Sequence, residues 1–97
     1  MLTGKQRSYL KGLAHNVEPI FQIGKNGITD NFIKQVDEAL EARELIKINV
    51  LNNSLLDPKA TASELAEKTQ AEFVQSIGHK FVLYRESVEN KKIEIPR

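Results

Sequence analysis

Residues 20–33 read Ile-Phe-Gln-Ile-Gly-Lys-Asn-Gly-Ile-Thr-Asp-Asn-Phe-Ile, and this stretch decides both the fold class and the candidate site. Ile20 to Ile23 is short, apolar and β-branched at both ends, the pattern of a buried strand. Gly24 and Gly27 bracket Lys25 and Asn26. Thr29 is a suitable N-cap, with Ile28 before it and Ile33 placed to form a hydrophobic staple, so a helix starts there. Glycine admits φ > 0 and a close approach to the main chain. The helix start turns unpaired N–H groups and a partial positive charge to the same corner, and Lys25 adds a full charge. Strand, glycine turn and capped helix together predict an anion-seeking corner.

Outward from this corner the chain alternates. Thr3 and Gln6 form a capping-box pattern, and Leu10, Leu13, Ala14 and Val17 recur at helical spacing, which predicts a helix over 4–16. Arg7, Lys11 and His15 make a separate stripe beside the apolar one. Pro19 ends that element. Phe32, Ile33, Val36, Ala39 and Leu40 cover one face of the second helix. Glu41 and Glu44 crowd its far end, where the helix dipole disfavours acids. From Leu45 to Leu51 the pattern has period two, with Ile46, Ile48 and Val50 on one face and Leu45, Lys47, Asn49 and Leu51 on the other. Asp57-Pro58 marks a third helix start, with Thr61 and Glu64 offering a second cap. Phe73 to Ile77 and Phe81 to Tyr84 read as strands joined at Gly78, a hairpin. Residues 85–97 read as an extended tail that could add an edge strand. The expectation is a single α/β domain over 1–97, in the order α-βαβαββ, with a small mixed four-stranded sheet packed with helices.

Composition narrows the function. The chain has 97 residues, no cysteine and a net charge of +1, which excludes disulfides, thiolate metal sites and cysteine nucleophiles. The N-terminus has no apolar run resembling a signal peptide, and no stretch approaches the ~20 apolar residues of a membrane helix, so a soluble, cytoplasmic, monomeric protein is expected. The charge is sorted: residues 1–17 carry Lys5, Arg7 and Lys11 without an acid, whereas residues 18–70 hold nine acids against six bases. One face could then attract a polyanion, although the same pattern also fits an ordinary solvated helix. His15 and His79 are far apart and form no metal-ligand pattern. For His79, beside Lys80, a phosphate contact is the alternative to a plain surface position. Gly24-Lys-Asn-Gly-Ile-Thr does not match a P-loop. Ser8, Ser54, Ser63, Ser76 and Ser87 sit in no nucleophile elbow. Asp37, Glu38 and Glu41 read as a solvated helix face. The inventory predicts no enzyme, no cofactor, no metal and no small-molecule substrate. Asn26-Gly27 suits a plain turn, yet Gly-x-x-Gly loops also track the phosphates of single-stranded nucleic acid. Tyr9 and Tyr84 could stack bases or simply pack.

Three motifs in order, Gly24-Lys-Asn-Gly-Ile-Thr, Glu44-Leu-Ile-Lys-Ile and Gly78-His-Lys-Phe-Val-Leu-Tyr-Arg, resemble the CRM domain (chloroplast RNA splicing and ribosome maturation), in particular its stand-alone bacterial YhbY-type form. The resemblance runs from about Leu2 to Pro96. It implies a fold related to the C-terminal domain of translation initiation factor three. It also implies RNA binding through the Gly-x-x-Gly loop and association with ribosomal RNA of large-subunit precursors. Residue by residue, the loop carries over to Gly24, Lys25, Asn26 and Gly27, and the basic first helix to Lys5, Arg7 and Lys11. Lys80 and Arg85 would extend the patch if they share its face. The alternative is a protein-interaction module that docks on a ribosomal protein or assembly factor through Leu45, Leu51 or the tail at Ile93–Ile95.

Overall fold

Three helix caps and one alternating strand organise the chain, and the computed structural model describes residues 2–96. Helix α1 (Gly4–Ala14) opens on a reciprocal cap: Thr3 Oγ1 accepts from the Gln6 amide at 3.1 Å, and Gln6 Oε1 accepts from the Thr3 amide at 3.0 Å. Helix α2 (Asp30–Arg43) opens where Thr29 Oγ1 accepts from the Phe32 amide at 3.1 Å. Helix α3 (Pro58–Thr69) uses Asp57, whose carboxylate accepts from the Ala60 amide at 3.2 Å. Thr61, the other candidate cap, is instead buried inside the helix.

The strands are β1 (Pro19–Ile23), β2 (Leu45–Val50), β3 (Glu72–Ile77) and β4 (Lys80–Tyr84). They lie side by side in the order β1-β2-β4-β3. β1 is parallel to β2, and β4 is antiparallel to both of its neighbours. Two expectations change. Pro19 opens β1, a position on an edge strand where a missing N–H costs nothing. And β1, expected to be buried, lies at the sheet edge, where Ile23 alone is fully buried.

Helices α2 and α3 cover one face of the sheet. Val36, Leu40, Ala62 and Leu65 pack there against Ile46, Ile48, Val50, Phe81 and Leu83. Phe21 and Phe32 meet edge to face, with ring centroids 5.5 Å apart. On the opposite face Leu10 and Ala14 of α1 pack with Leu45, Val74, Val82 and Tyr84.

The tail forms no strand, contrary to expectation, and α2 supplies the reason. Glu44 leaves the helix at φ 67° and is fully buried. Its carboxylate accepts N–H groups from Ser87 (2.8 Å), Lys92 (2.6 Å) and Ile93 (2.7 Å). Glu41 accepts the Val88 and Glu89 amides at 3.0 and 2.9 Å and the Ser87 hydroxyl at 2.8 Å. Side chains thus satisfy the tail's backbone donors, so it needs no neighbouring strand. Ile93 and Ile95 pack beside α1, and Leu45 is buried. Of the residues that the protein-docking alternative would use, Leu45 is thus spent inside the fold, Ile93 and Ile95 are partly so, and Leu51 stays half-buried. Glu41 is a clamp rather than part of a solvated face.

Burial alone would raise the Glu44 pKa, but three backbone donors outweigh it and hold the pKa below the usual range. The Val88 and Glu89 amides and the Ser87 hydroxyl likewise lower Glu41. The folded state therefore resists protonation, and the clamp contributes in full above the ordinary glutamate pKa of about 4.3. It is lost as pH falls from there through the lowered folded values. Amide exchange on 87–93 should accelerate in that acid window before the sheet amides do. Glu44→Ala strands three donors and should destabilise by about 2–3 kcal/mol, measured by urea unfolding at pH 7.

Candidate nucleic-acid interface

The loop between β1 and α2 is a hydrogen-bonded turn. The Gly27 amide donates to Gly24 O at 3.0 Å, and Lys25 and Asn26 stand exposed at the tip. The two glycines differ, although the sequence treats them alike. Gly27 has φ +64°, where a side chain is strained. Gly24 lies outside that region, and a Cβ built on it would meet Leu51 Cδ1 at 3.6 Å, an ordinary contact. Gly24 is therefore half-buried with room for a side chain, and its backbone does not require glycine. Around it lies a shallow depression of about 560 Å³ bordered by Gln22, Lys25, Asn26, Thr29, Leu51 and Asn53.

Neighbouring loops hold this corner in place. The Leu51 amide donates to Ile23 O at 2.9 Å and the Val50 amide to His79 O at 2.7 Å, which ties together the ends of β1 and β2 and the β3–β4 hairpin. A short 3-10 turn, Asn52–Ser54, follows β2. Ser54 Oγ donates to Leu51 O at 2.7 Å and accepts from the Leu56 amide at 3.2 Å. Sequence patterning missed this turn because three residues carry no periodicity. The parallel strands β1 and β2 end here and α2 begins here, so open carboxyl ends of strands meet a positive helix terminus.

The predicted basic residues divide into three groups. Lys25 is at the loop tip, and Lys80 opens β4 next to exposed His79, at the same end of the sheet. Lys11 lies across the hairpin, in a second depression with Arg7, Lys59 and Gly78. Arg7 itself is partly engaged, since Nη1 donates to Phe73 O and, at 3.4 Å, to Val74 O on the outer edge of β3. Lys5 is exposed on the first turn of α1, near the opposite end of the sheet, where the Leu2 amide donates to Glu72 at 3.1 Å.

Arg85 does not join the loop. Its guanidinium pairs with the Asp37 carboxylate and donates to Asp37 O and Thr69 O, both at 2.9 Å, between the middle of α2 and the last residue of α3. Tyr84 is buried and cannot stack a base; burial, with Glu44 and Glu86 nearby, pushes its phenol up to about 12. Tyr9 remains 42% exposed. Among the described residues no group of three or more His, Cys, Asp or Glu could hold a metal ion, and no helix is long and apolar enough to cross a membrane.

The family model for the CRS1 / YhbY (CRM) domain matches residues 2–85. The chain belongs to the CRM-domain family. It is 54% identical over 96 residues to a Bacillus subtilis protein named "Probable RNA-binding protein YqeI", covering 99% of this chain and 100% of that one. It is 40% identical to a Haemophilus influenzae protein named "RNA-binding protein", covering 99% and 96%. The solution structure of Staphylococcus aureus SAV1595 shares this CRM fold with a TM-score of 0.82 and 60% identity, covering 99% of this chain and all of that one. The three-helix, mixed four-stranded architecture is thus common to the two structures.

Arg85→Ala should separate fold from binding. Losing the bonds to Thr69 O and Asp37 is expected to cost about 1–2 kcal/mol in urea unfolding. Affinity for RNA, measured on the folded variant, should stay within twofold.

Proposed function

We propose that this CRM domain is a non-enzymatic RNA-binding protein that grips the sugar-phosphate backbone at the Gly24–Gly27 turn. The observation that carries the reading is the open space beside Gly24, where a Cβ would meet only Leu51, set next to exposed Lys25 and the N-terminus of α2. Oxygen anions suit such a place, because free amides and the helix dipole act together there. Gly24 admits the strand, Gly27 supplies the bend, and Lys25 adds the charge. Asn26 offers an amide, and Lys80 and Lys11 extend the contact along the same end of the sheet. Lys5 supplies a peripheral charge, Arg7 is partly committed to β3, and Arg85 is left out. The CRM relatives named for RNA binding support the choice of RNA over other polyanions. The RNA proposed is ribosomal RNA of a large-subunit precursor, as the family resemblance implies, and the protein is proposed to act in assembly of that subunit.

Lys25→Glu reverses the one charge at the tip, where the side chain is exposed and plays no part in the core. It should weaken RNA binding at least fivefold in a low-salt filter assay while leaving thermal stability unchanged. Wild-type affinity in that variant would remove the loop from the interface. With about four phosphate contacts, log Kobs should fall with log salt at a slope near −3. A flat response would discard the electrostatic mechanism.

A further inference from the structure

The face of the sheet that carries α1 is covered at one end and bare at the other. Cross-strand register divides it into rows. Leu45, Tyr84 and Glu72 form the first, at the end where Leu45 and Tyr84 are buried beneath α1 and the tail. Lys47, Val82 and Gln75 form the second. The third runs across all four strands as Gln22, Asn49, Lys80 and Ile77. An open groove of about 570 Å³ lies over the second and third rows and reaches Asn52 and His79. Its lining includes Lys47, Lys80 and His79 and no carboxylate. Ile77 is 63% exposed there, although it belongs to a regular strand.

This groove is continuous with the glycine corner. Leu51 lines both depressions, and Gln22 borders the corner while sitting in register with Asn49 of the groove. Neighbouring strands are about 4.8 Å apart, so the third row spans roughly 14 Å from Gln22 to Ile77.

We infer that the groove is a base-reading platform for single-stranded RNA, entered from the glycine loop; the inference rests on the loop being an RNA site. Charge selects the occupant, since a surface bearing two lysines and a histidine without a carboxylate attracts a polyanion and disfavours an acid-poor peptide. Chemistry selects the unpaired form. Gln22, Asn49 and Gln75 each carry a donor and an acceptor, the complement of a Watson–Crick edge. Those edges are open in single strands and occupied in an A-form duplex, whose deep major groove also excludes side chains. Ile77 offers apolar surface to a base, and Lys47 and Lys80 lie within reach of the flanking phosphates. The glycine loop holds backbone, whereas this row reads bases.

The test is an amide NMR titration of the full chain with a single-stranded RNA hexamer of mixed sequence and, separately, with a blunt duplex of matched length. The single strand should shift residues 47, 49, 75, 77 and 80 together with 24–27, while the duplex should shift the loop but not the groove. Asn49→Ala with Gln75→Ala should weaken hexamer binding about fivefold to tenfold and leave duplex binding unchanged; Lys25→Glu should weaken both. Loop shifts with a silent groove overturn the platform and leave the loop assignment standing. No shift at either place with either RNA overturns both. Groove shifts with an oligoglutamate peptide that match or exceed those with RNA overturn RNA as the occupant.

Discussion

The register of β2 is the constraint on which the other layers depend. Its side chains alternate with period two, so a slip of one residue would drive Lys47 and Asn49 under α2 and α3 and turn Ile46, Ile48 and Val50 outward. β2 is hydrogen-bonded on both sides, to β1 in parallel and to β4 antiparallel, which makes such a slip expensive at two interfaces. Because β4 shares this register, Val82 and Tyr84 face α1 while Phe81 and Leu83 face α2 and α3. The same alternation that builds the core therefore fixes which polar side chains reach the open end of the second face.

Charge sorting explains how a chain of net charge +1 can present a site for a polyanion. Glu41 and Glu44 stand at the C-terminal end of α2, a placement that the helix dipole penalises by about 0.3–1 kcal/mol each. The backbone donors of residues 87–93 offset it, because hydrogen bonds to an ionised acceptor are stronger than neutral ones. Asp37 is paired with Arg85 in the same region. Glu41 and Glu44 are thereby held at the end of the sheet away from the glycine turn. β2 has six residues and so spans about 20 Å, more than twice the Debye length of about 8 Å at physiological salt. Repulsion from these acids is largely screened at the turn, so the local arrangement of cations matters more than the total.

Much of this architecture is legible in the residues themselves. The Thr3–Gln6 box, the Thr29 cap, the Asp57-Pro58 start, the alternation over 45–50 and the hairpin at Gly78 are local patterns, and local patterns are what a sequence displays. The features that escape it are non-local. Arg85 looks like any surface cation until Asp37, 48 residues earlier, is seen beside it. The tail looks like a strand because its sequence is extended and ends in alternating isoleucines, whereas its donors are taken by two glutamates more than forty residues away. The edge position of β1 follows from its pairing with β2 alone, whose other side is taken by β4, which no single strand announces. At the site, the turn was readable, but the row Gln22–Asn49–Lys80–Ile77 exists only once four strands are aligned.

The contrast between Gly24 and Gly27 separates what the fold needs from what a ligand would need. Gly27 is explained by its positive φ, and any L-residue there would carry strain. Gly24 has room for a methyl group and no unusual dihedral, so stability does not account for it. What a methyl would remove is access, since it would stand against Leu51 in the wall of the depression, between an incoming strand and the main chain. The loop is already held by its own turn and by the neighbouring Leu51–Ile23 hydrogen bond. A strand gripped there, as proposed, would meet a turn that needs little further ordering, so more of each contact would be retained as affinity. A net charge near zero and a rigid, open turn are therefore compatible, because preorganisation supplies part of what a larger cationic surface would otherwise provide.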